Sequence, residues 1–337
     1  MSREQRRQQL AELMERLALG AILLKRPANF AWYTGGADNR VDHSAPLGVA
    51  GVVVTRDSEY VITDNIEFAR MREEQTPGLE VVEHPWYEDG IASLRELTGD
   101  APLGVDFHLE GAYEVSDEVA PLRYVLDADT IDRYRHVGAD AAAAMREAAE
   151  ALDPEMSELE AVANLLAACC RRGLYSPVAF AAGERRVVRY RHAIPQEGRL
   201  GRRAMLVVCA ERGGLYANLS RFVHFEEPDR NLKKRFDACE TILRRMREEA
   251  TRPGRTLAEA FADCQRFYAE AGFPEEWKLH HQGGLTGYAS REVVATPETA
   301  ERIRVSQAFA WNPSVTGAKA EETFVLTSSG SEVVTRI

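Results

Sequence analysis

The sequence predicts two domains in succession, an α/β domain followed by an α+β domain. Short apolar runs alternate with helical patterns up to about Ala128. Beyond that point the periodicity changes to long helices, and strand-rich stretches follow them. No proline-rich linker intervenes, so the change of periodicity alone places the boundary, between residues 1–128 and 129–337.

The first domain opens with a helical pattern over residues 4–17. Another helix is predicted to open near Asn65. Apolar runs predict strands at residues 21–24, 48–55, 60–63 and 103–105.

The second domain begins with two long helices, over residues 131–152 and 157–172. Ser157 and Glu160 have the spacing of a capping box at the start of the second helix. The remaining elements are predicted from their apolar periodicity: strands within residues 204–225, helices over 231–249 and 256–271, and strands near 308–311, 323–326 and 332–335.

The composition excludes two classes of partner. The chain has 53 acidic and 42 basic side chains, and its net charge of −11 repels nucleic acids and anionic membranes. The first 19 residues are polar and amphipathic, and no apolar run has the length of a membrane span, so we expect a cytoplasmic protein. Five cysteines without a C-x-x-C pair predict reduced, buried thiols.

Several motifs resemble the creatinase, aminopeptidase P and prolidase family. In the first domain they are R-P-A-N-F-A-W-Y-T-G-G from Arg26 and Y-V-I-T-D-N from Tyr60. In the second domain four motifs follow in the family's order: R-H-A-I-P from Arg191, N-L-S-R from Asn218, H-H-Q-G-G from His280 and A-E-E-T from Ala320. The resemblance implies an α/β N-terminal domain followed by a pita-bread domain, two α+β halves around a curved antiparallel sheet.

Metal-dependent members of that family bind two divalent cations through two aspartates, one histidine and two glutamates. The resemblance places these five positions at Cys209 (with Val207 as the alternative), Asn218, His281, Asn312 and Glu321. Only the histidine and the second glutamate are retained. One carboxylate, even with Cys209 as a thiolate, cannot neutralise two dications, so we expect no metal cofactor, or at most one weakly bound divalent cation.

The resemblance to creatinase suggests a catalyst that needs no metal. His192 in R-H-A-I-P matches the histidine that serves creatinase as acid and base. Ser220 stands where creatinase has a glutamate, which disfavours creatine as the substrate. Cys209 could serve as a nucleophile if a histidine lay within hydrogen-bond reach, although a cysteine that ends an apolar strand is more often inert.

Other positions predict substrate contacts. If His280 and His281 are on a strand, they face opposite ways, so we expect His281 to line the pocket and His280 to be structural. The glycines that follow them would allow a ligand to approach the backbone. Tyr288 replaces a substrate-contacting histidine of the peptidases. Arg221 either clamps a substrate or pairs with Glu321 or Glu322.

These observations predict a metal-independent or metal-poor relative of the Xaa-Pro peptidases. It would hydrolyse or bind a small amide, amidine or peptide-like ligand, with His192, His281 and Glu321 as catalytic groups. Substrate contacts are assigned to Arg221, Tyr288, Asn218 and Asn312. The alternatives are a genuine Xaa-Pro dipeptidase or aminopeptidase with an altered metal shell, and an inactive binding or scaffold protein. We also expect a homodimer in which residues 32–41 line the partner's site.

Overall fold

A computed structural model of the protein describes residues 2–336. The chain divides into two compact units, one ending at Arg123 and the other beginning at Tyr124. Within the described residues, no helix combines the length and the apolar character needed to cross a bilayer.

The first unit is built on a mixed six-stranded sheet in the order β4-β3-β2-β1-β5-β6. Its strands are β1 (Ala21–Leu24), β2 (Gly51–Thr55), β3 (Glu59–Asp64), β4 (Glu80–His84), β5 (Leu103–Val105) and β6 (Tyr113–Glu114). Its helices are α1 (Arg3–Leu17), α2 (Pro27–Thr34), α3 (Phe68–Arg70), α4 (Ile91–Thr98) and α5 (Ser116–Val119). The helix predicted to open near Asn65 is the short α3, which continues into a π-helical turn over Met71–Gln75.

The motif that begins at Arg26 has a structural role in this unit. The buried carboxylate of Asp106 accepts hydrogen bonds from the backbone N–H groups of Lys25 and Arg26 and from the amide of Asn29, at 2.8 to 2.9 Å. Trp32 is only 3% exposed, so it packs inside the unit. The prediction that the segment around Trp32 is open to a partner chain is therefore wrong at that residue, although Val41 is exposed.

Up to residue 336, the second unit contains five α-helices and ten strands. The helices are α6 (Ala128–Glu150), α7 (Glu158–Cys170), α8 (Glu184–Val187), α9 (Arg230–Arg245) and α10 (Leu257–Glu270). The strands are β7 (Tyr175–Gly183), β8 (Arg203–Arg212), β9 (Leu215–His224), β10 (Gly283–Thr286), β11 (Val293–Val294), β12 (Ala308–Trp311), β13 (Ser314–Val315), β14 (Ala318–Lys319), β15 (Glu322–Thr327) and β16 (Gly330–Val333). The capping box of Ser157 and Glu160 is confirmed.

Two antiparallel sheets meet in the middle of this unit. The first has the order β7-β8-β9 and the second has the order β11-β10-β12-β15-β16. An isolated bridge between Ser220 and Glu321 joins β9 to the start of β15, and the backbone N–H of Asn218 donates to Thr323 Oγ1 at 2.8 Å. The predicted fold, an α/β domain followed by an α+β domain with an antiparallel sheet, is confirmed.

The glycines after His281 bring two strands together. At Gly283, where φ is +98°, an added Cβ would lie 2.0 Å from the carbonyl oxygen of Ala310 on β12. Only glycine fits such an approach. The close contact is therefore between backbones, rather than the ligand contact that the sequence suggested.

All five cysteines are free thiols, as predicted. Cys170 is exposed and Cys209 is half-buried, so burial was predicted correctly only for the other three.

Candidate functional site

The pairing of β8 with β9 brings together several of the positions that the resemblance assigns to metal ligands. Cys209 lies directly opposite Asn218, and Val207 lies opposite Ser220. Because side chains alternate along a strand, Asn218 and Ser220 leave β9 on the same face. The bridge from Ser220 then adds Glu321 to this group. Three of the five predicted positions, Cys209, Asn218 and Glu321, are thus adjacent.

Glu321 is buried and held by two cations and a hydroxyl. Its Oε2 lies 2.8 Å from Lys319 Nζ and accepts a hydrogen bond of 2.6 Å from Ser220 Oγ. Its Oε1 lies 3.0 Å from a terminal nitrogen of Arg291. Burial alone would raise the pKa of Glu321, but Lys319 and Arg291 lower it to about 2. Glu321 is therefore ionised and fully engaged near neutral pH.

Cys209 is a neutral thiol in this setting. Burial, and to a smaller extent the charge of Glu321, raises the pKa of Cys209 to about 12. The sequence left open that Cys209 might be a thiolate, and the structure contradicts this. A neutral thiol is a poor nucleophile and a poor metal ligand.

Asn218 and Asn312 each present an unpaired acceptor. Both side chains are almost fully buried, and neither Oδ1 accepts a hydrogen bond from residues 2–336. The Asn218 amide donates to Thr286 Oγ1 at 3.2 Å, which orients its oxygen. A buried acceptor without a donor is costly, so these two oxygens are unsatisfied polar groups inside the site.

Three histidines form a second group. Nε2 of His192 lies 3.1 Å from Nε2 of His280, and the rings of His280 and His281 stack with centroids 4.4 Å apart. One ring nitrogen from each of the three lies within 4.8 Å of the others. The prediction that His280 faces away from the site is wrong, because both residues precede β10 in an irregular segment where strand alternation does not apply.

Buried contacts fix the two segments that carry these rings. The amide of Gln282, itself buried, donates to the carbonyls of Trp277 and His280 and accepts from the Tyr268 hydroxyl at 2.8 Å. Arg191, next to His192, forms an ion pair with Glu276, which precedes the other two histidines in the chain. That ion pair ties the two histidine segments together.

The histidine rings are neutral near pH 7. Burial in the cleft, followed by the positive charge of Lys319, lowers the pKa of His280 to about 3. Partial desolvation and Arg291 lower the pKa of His281 to about 4, although much of this residue is exposed. The pKa of His192 is lowered as well, by burial and by Lys319. Neutral imidazoles can accept protons or bind metal ions.

Arg221 and Tyr288 lie apart from these contacts. Arg221 follows Ser220 on β9, so its side chain leaves the strand on the other face. It lines a cavity of about 290 Å³ together with Glu321, but it forms no ion pair within residues 2–336. The predicted pairing with Glu321 or Glu322 is wrong, because Glu322 pairs with Arg247. Tyr288 is buried, and its hydroxyl accepts from Arg133 on α6 at 3.0 Å.

The pair of divalent cations that the resemblance implies does not fit these residues. Two dications need several carboxylates, and the five positions supply one. That carboxylate is already bound to two positively charged side chains. A cation placed beside Glu321 would meet Lys319 and Arg291 at close range. No step through a metal pair is derived for this site.

Lys319 and Arg291 were missed in the sequence. A signal existed for Lys319, because it precedes Glu321 by two residues, and extended chain places such residues on one face. Arg291 lies between β10 and β11, and its contact depends on the path of that connection. Nothing local in the sequence indicates it.

The chain is similar to known proteins over nearly its whole length. Residues 6–137 match the Creatinase/Prolidase N-terminal domain and residues 132–328 match Metallopeptidase family M24. An Xaa-Pro dipeptidase from Pyrococcus horikoshii is 22% identical over 97% of this chain and 95% of its own. The solved prolidase from Pyrococcus horikoshii OT3 covers 98% of both chains with a TM-score of 0.83 and 17% identity. The N-terminal domain of FACT complex subunit SPT16 from Cicer arietinum has a TM-score of 0.75 and 12% identity, covering 99% of this chain and 96% of that domain.

Proposed function

Because this chain belongs to Metallopeptidase family M24, with a creatinase/prolidase N-terminal domain, we propose that its cleft binds or hydrolyses a small amide, amidine or peptide-like molecule without the family's pair of metal ions. One observation carries the proposal: Lys319 and Arg291 bind the carboxylate of Glu321. Two positive side chains thus supply charge that metal ions would otherwise bring to this position.

In this proposal the histidines move protons. His280 Nδ1 is in contact with the carbonyl of His281, which requires the ring to carry its proton there, so its Nε2 accepts from Nε2–H of His192. Nδ1 of His192 is then free to accept a proton from a water. His281 lies beside this pair as a second neutral base.

Glu321 has a different role from the catalytic one predicted. Its pKa of about 2 and its occupied oxygens make it a poor base near pH 7. It instead positions Lys319 and Arg291, whose charges can stabilise negative charge that develops on a ligand. The free acceptors of Asn218 and Asn312 suit the N–H groups of an amide or amidine.

A genuine Xaa-Pro dipeptidase is the second candidate. The similarity to the Pyrococcus horikoshii dipeptidase extends over both domains, and His281 and Glu321 are retained at ligand positions. This function requires metal ions to displace Lys319 and Arg291 from Glu321. A third candidate is an inactive binding module; the N-terminal domain of the FACT complex subunit SPT16 has a similar fold.

The test uses two probes, alanyl-proline and acetamidine, with the purified full-length protein. Each is assayed for binding by calorimetry and for hydrolysis, in excess chelator and then in manganese. We expect binding or hydrolysis of a probe in chelator, and any hydrolysis should fall by about 100-fold or more in His192→Gln.

These results separate the dipeptidase from the other two candidates. Cleavage of alanyl-proline that requires manganese and is lost in Glu321→Ala overturns the proposal in favour of the dipeptidase. Binding without turnover fits the binding form of the proposal and is the result expected of the third candidate. If neither probe is bound or cleaved, the proposed ligand class is wrong.

A further inference from the structure

The three-histidine group contains two residues that are not among the family's metal positions. His192 and His280 lie outside the set of Cys209, Asn218, His281, Asn312 and Glu321, yet their Nε2 atoms are 3.1 Å apart. His281 completes a group whose ligand atoms all lie within 4.8 Å of one another. It is the one group of three or more potential metal ligands found within residues 2–336.

The distance between the first two ring nitrogens is close to that between two ligands on one ion, although in the metal-free protein these nitrogens share a hydrogen bond. Imidazole nitrogens bound to zinc at 2.0–2.1 Å in tetrahedral geometry lie about 3.3 Å from each other. The separation in the structure differs from this value by a few tenths of an ångström. His281 would complete the set, since one of its ring nitrogens lies within 4.8 Å of the other two ligand atoms.

The hydrogen bonds around His280 prepare its ring for this role. Its Nδ1 contacts the carbonyl of His281, so the proton resides there and the Nε2 lone pair faces His192. Metal-bound histidines commonly donate their other N–H to a carbonyl in this way, which fixes the tautomer. His192 needs only to shift its proton to Nδ1 to offer Nε2 as a ligand.

We propose that His192, His280 and His281 bind a single transition-metal ion of the zinc class, with water in the remaining position. Imidazole ligands favour zinc, nickel or copper over manganese, magnesium or calcium. The nearby charge of Lys319 opposes any cation, but its pairing with Glu321 offsets part of that repulsion. This inference goes beyond the proposed function, which concerns the metal-free cleft, because an ion on Nε2 of His192 leaves the proton of that ring on Nδ1 and removes the ring as a base.

The experiment titrates metal-free full-length protein with zinc alone and with manganese alone, by calorimetry. We expect one zinc per chain and no manganese binding at the same concentrations. His280→Gln should weaken zinc binding by roughly 100-fold or more, because even loss of a supporting group outside the ligand shell costs 10–100-fold. His224→Gln is the matched control, since His224 is on β9 but outside the group. Circular dichroism checks that each variant is folded.

Two further measurements separate this site from the family's. Cys209→Ala should keep the zinc affinity of the wild type, and the cobalt-loaded protein should show visible d–d bands without a thiolate charge-transfer band. No zinc binding, or equal binding by wild type and folded His280→Gln, overturns the inference. Equal weakening by His280→Gln and His224→Gln also overturns it. These outcomes test zinc binding alone. The proposed function is tested separately, because it is overturned if cleavage of alanyl-proline requires manganese.

Discussion

The ammonium group of Lys319 lies 2.8 Å from Oε2 of Glu321, and both side chains are more than nine-tenths buried. Extended chain at the end of β14 places them on one face, two residues apart. Ser220 and Arg291 complete the contacts of the carboxylate. A buried ion pair is therefore part of the structure at Glu321, the position that the resemblance assigns to a metal ligand.

Lys319→Met should cost about 3 kcal/mol of unfolding free energy at pH 7, measured by urea denaturation. Removing one partner of a buried pair leaves the other charge partly uncompensated. Lys278→Met is the control: its pair with Glu275 is exposed, so its cost should stay below about 1 kcal/mol. Similar costs for the two variants contradict the buried role of Lys319.

The cost of Lys319→Met should also shrink in acid. In the folded wild type the pKa of Glu321 is about 2, below its ordinary value of 4.5. Such a carboxyl stabilises the fold above its unfolded pKa, and that stabilisation is lost as pH falls toward 2. In Lys319→Met the pKa of Glu321 should be higher than in the wild type. Glu321 then becomes protonated at a higher pH, and the uncompensated buried charge disappears there. An unchanged cost at about pH 4 argues against this linkage.

Arg191→Met should destabilise the fold by about 2 kcal/mol, because its guanidinium bridges the segment of His192 to Glu276 through charged hydrogen bonds. It should also separate the histidine rings, which nitrogen-15 NMR would register as loss of the bond between His192 and His280. Arg199→Met, in an exposed pair with Glu155, should change neither property. An unaltered histidine spectrum in Arg191→Met would show that the ion pair of Arg191 with Glu276 does not hold the two histidine segments together.

Nitrogen-15 NMR of the wild type at about pH 6 should show neutral rings for His280 and His281. Their folded pKa values, about 3 and about 4, lie below the ordinary 6.5. The unfolded chain takes up these protons first, so stability should fall as pH drops from 6.5 toward 3. His280→Gln should lose less stability over that interval. Imidazolium signals from both rings at pH 6 would contradict the neutral cluster.

Most of the fold could be predicted because its cues are local. The strands at Ala21–Leu24 and Ala308–Trp311 follow from their apolar runs, and the helix over Glu158–Cys170 follows from its capping box. The helix predicted over residues 231–249 ends at Arg245 and continues as a π-helical turn, a change that periodicity does not encode.

The site was only partly predictable, because its decisive contacts join distant parts of the chain. The resemblance pointed to His281 and Glu321, but Arg291 reaches Glu321 from a different loop, and His192 meets His280 across 88 positions. Strand alternation misplaced His280 since the segment before β10 is irregular. A thiolate at Cys209 was open from sequence alone, because its pKa depends on burial and on the charge of Glu321.

Restoring the lost carboxylates should restore a manganese response. Cys209→Asp, Asn218→Asp and Asn312→Glu together add three acids at positions assigned to the same site as Glu321, and without metal their repulsion should lower the melting temperature. Millimolar manganese should then raise it, since a ligand that binds only the folded state stabilises it. Equal stabilisation of the triple variant and the wild type, or of neither, contradicts the assignment of these positions.

The most direct test of the account is the manganese content of the wild-type protein. The purified chain is incubated with excess manganese, desalted and measured by mass spectrometry for metal per chain. With one carboxylate, already bound by Lys319 and Arg291, we predict well below one manganese ion per chain. Two manganese ions per chain, both lost in Glu321→Ala, would show that metal ions displace Lys319 and Arg291 from Glu321. That result would contradict the account.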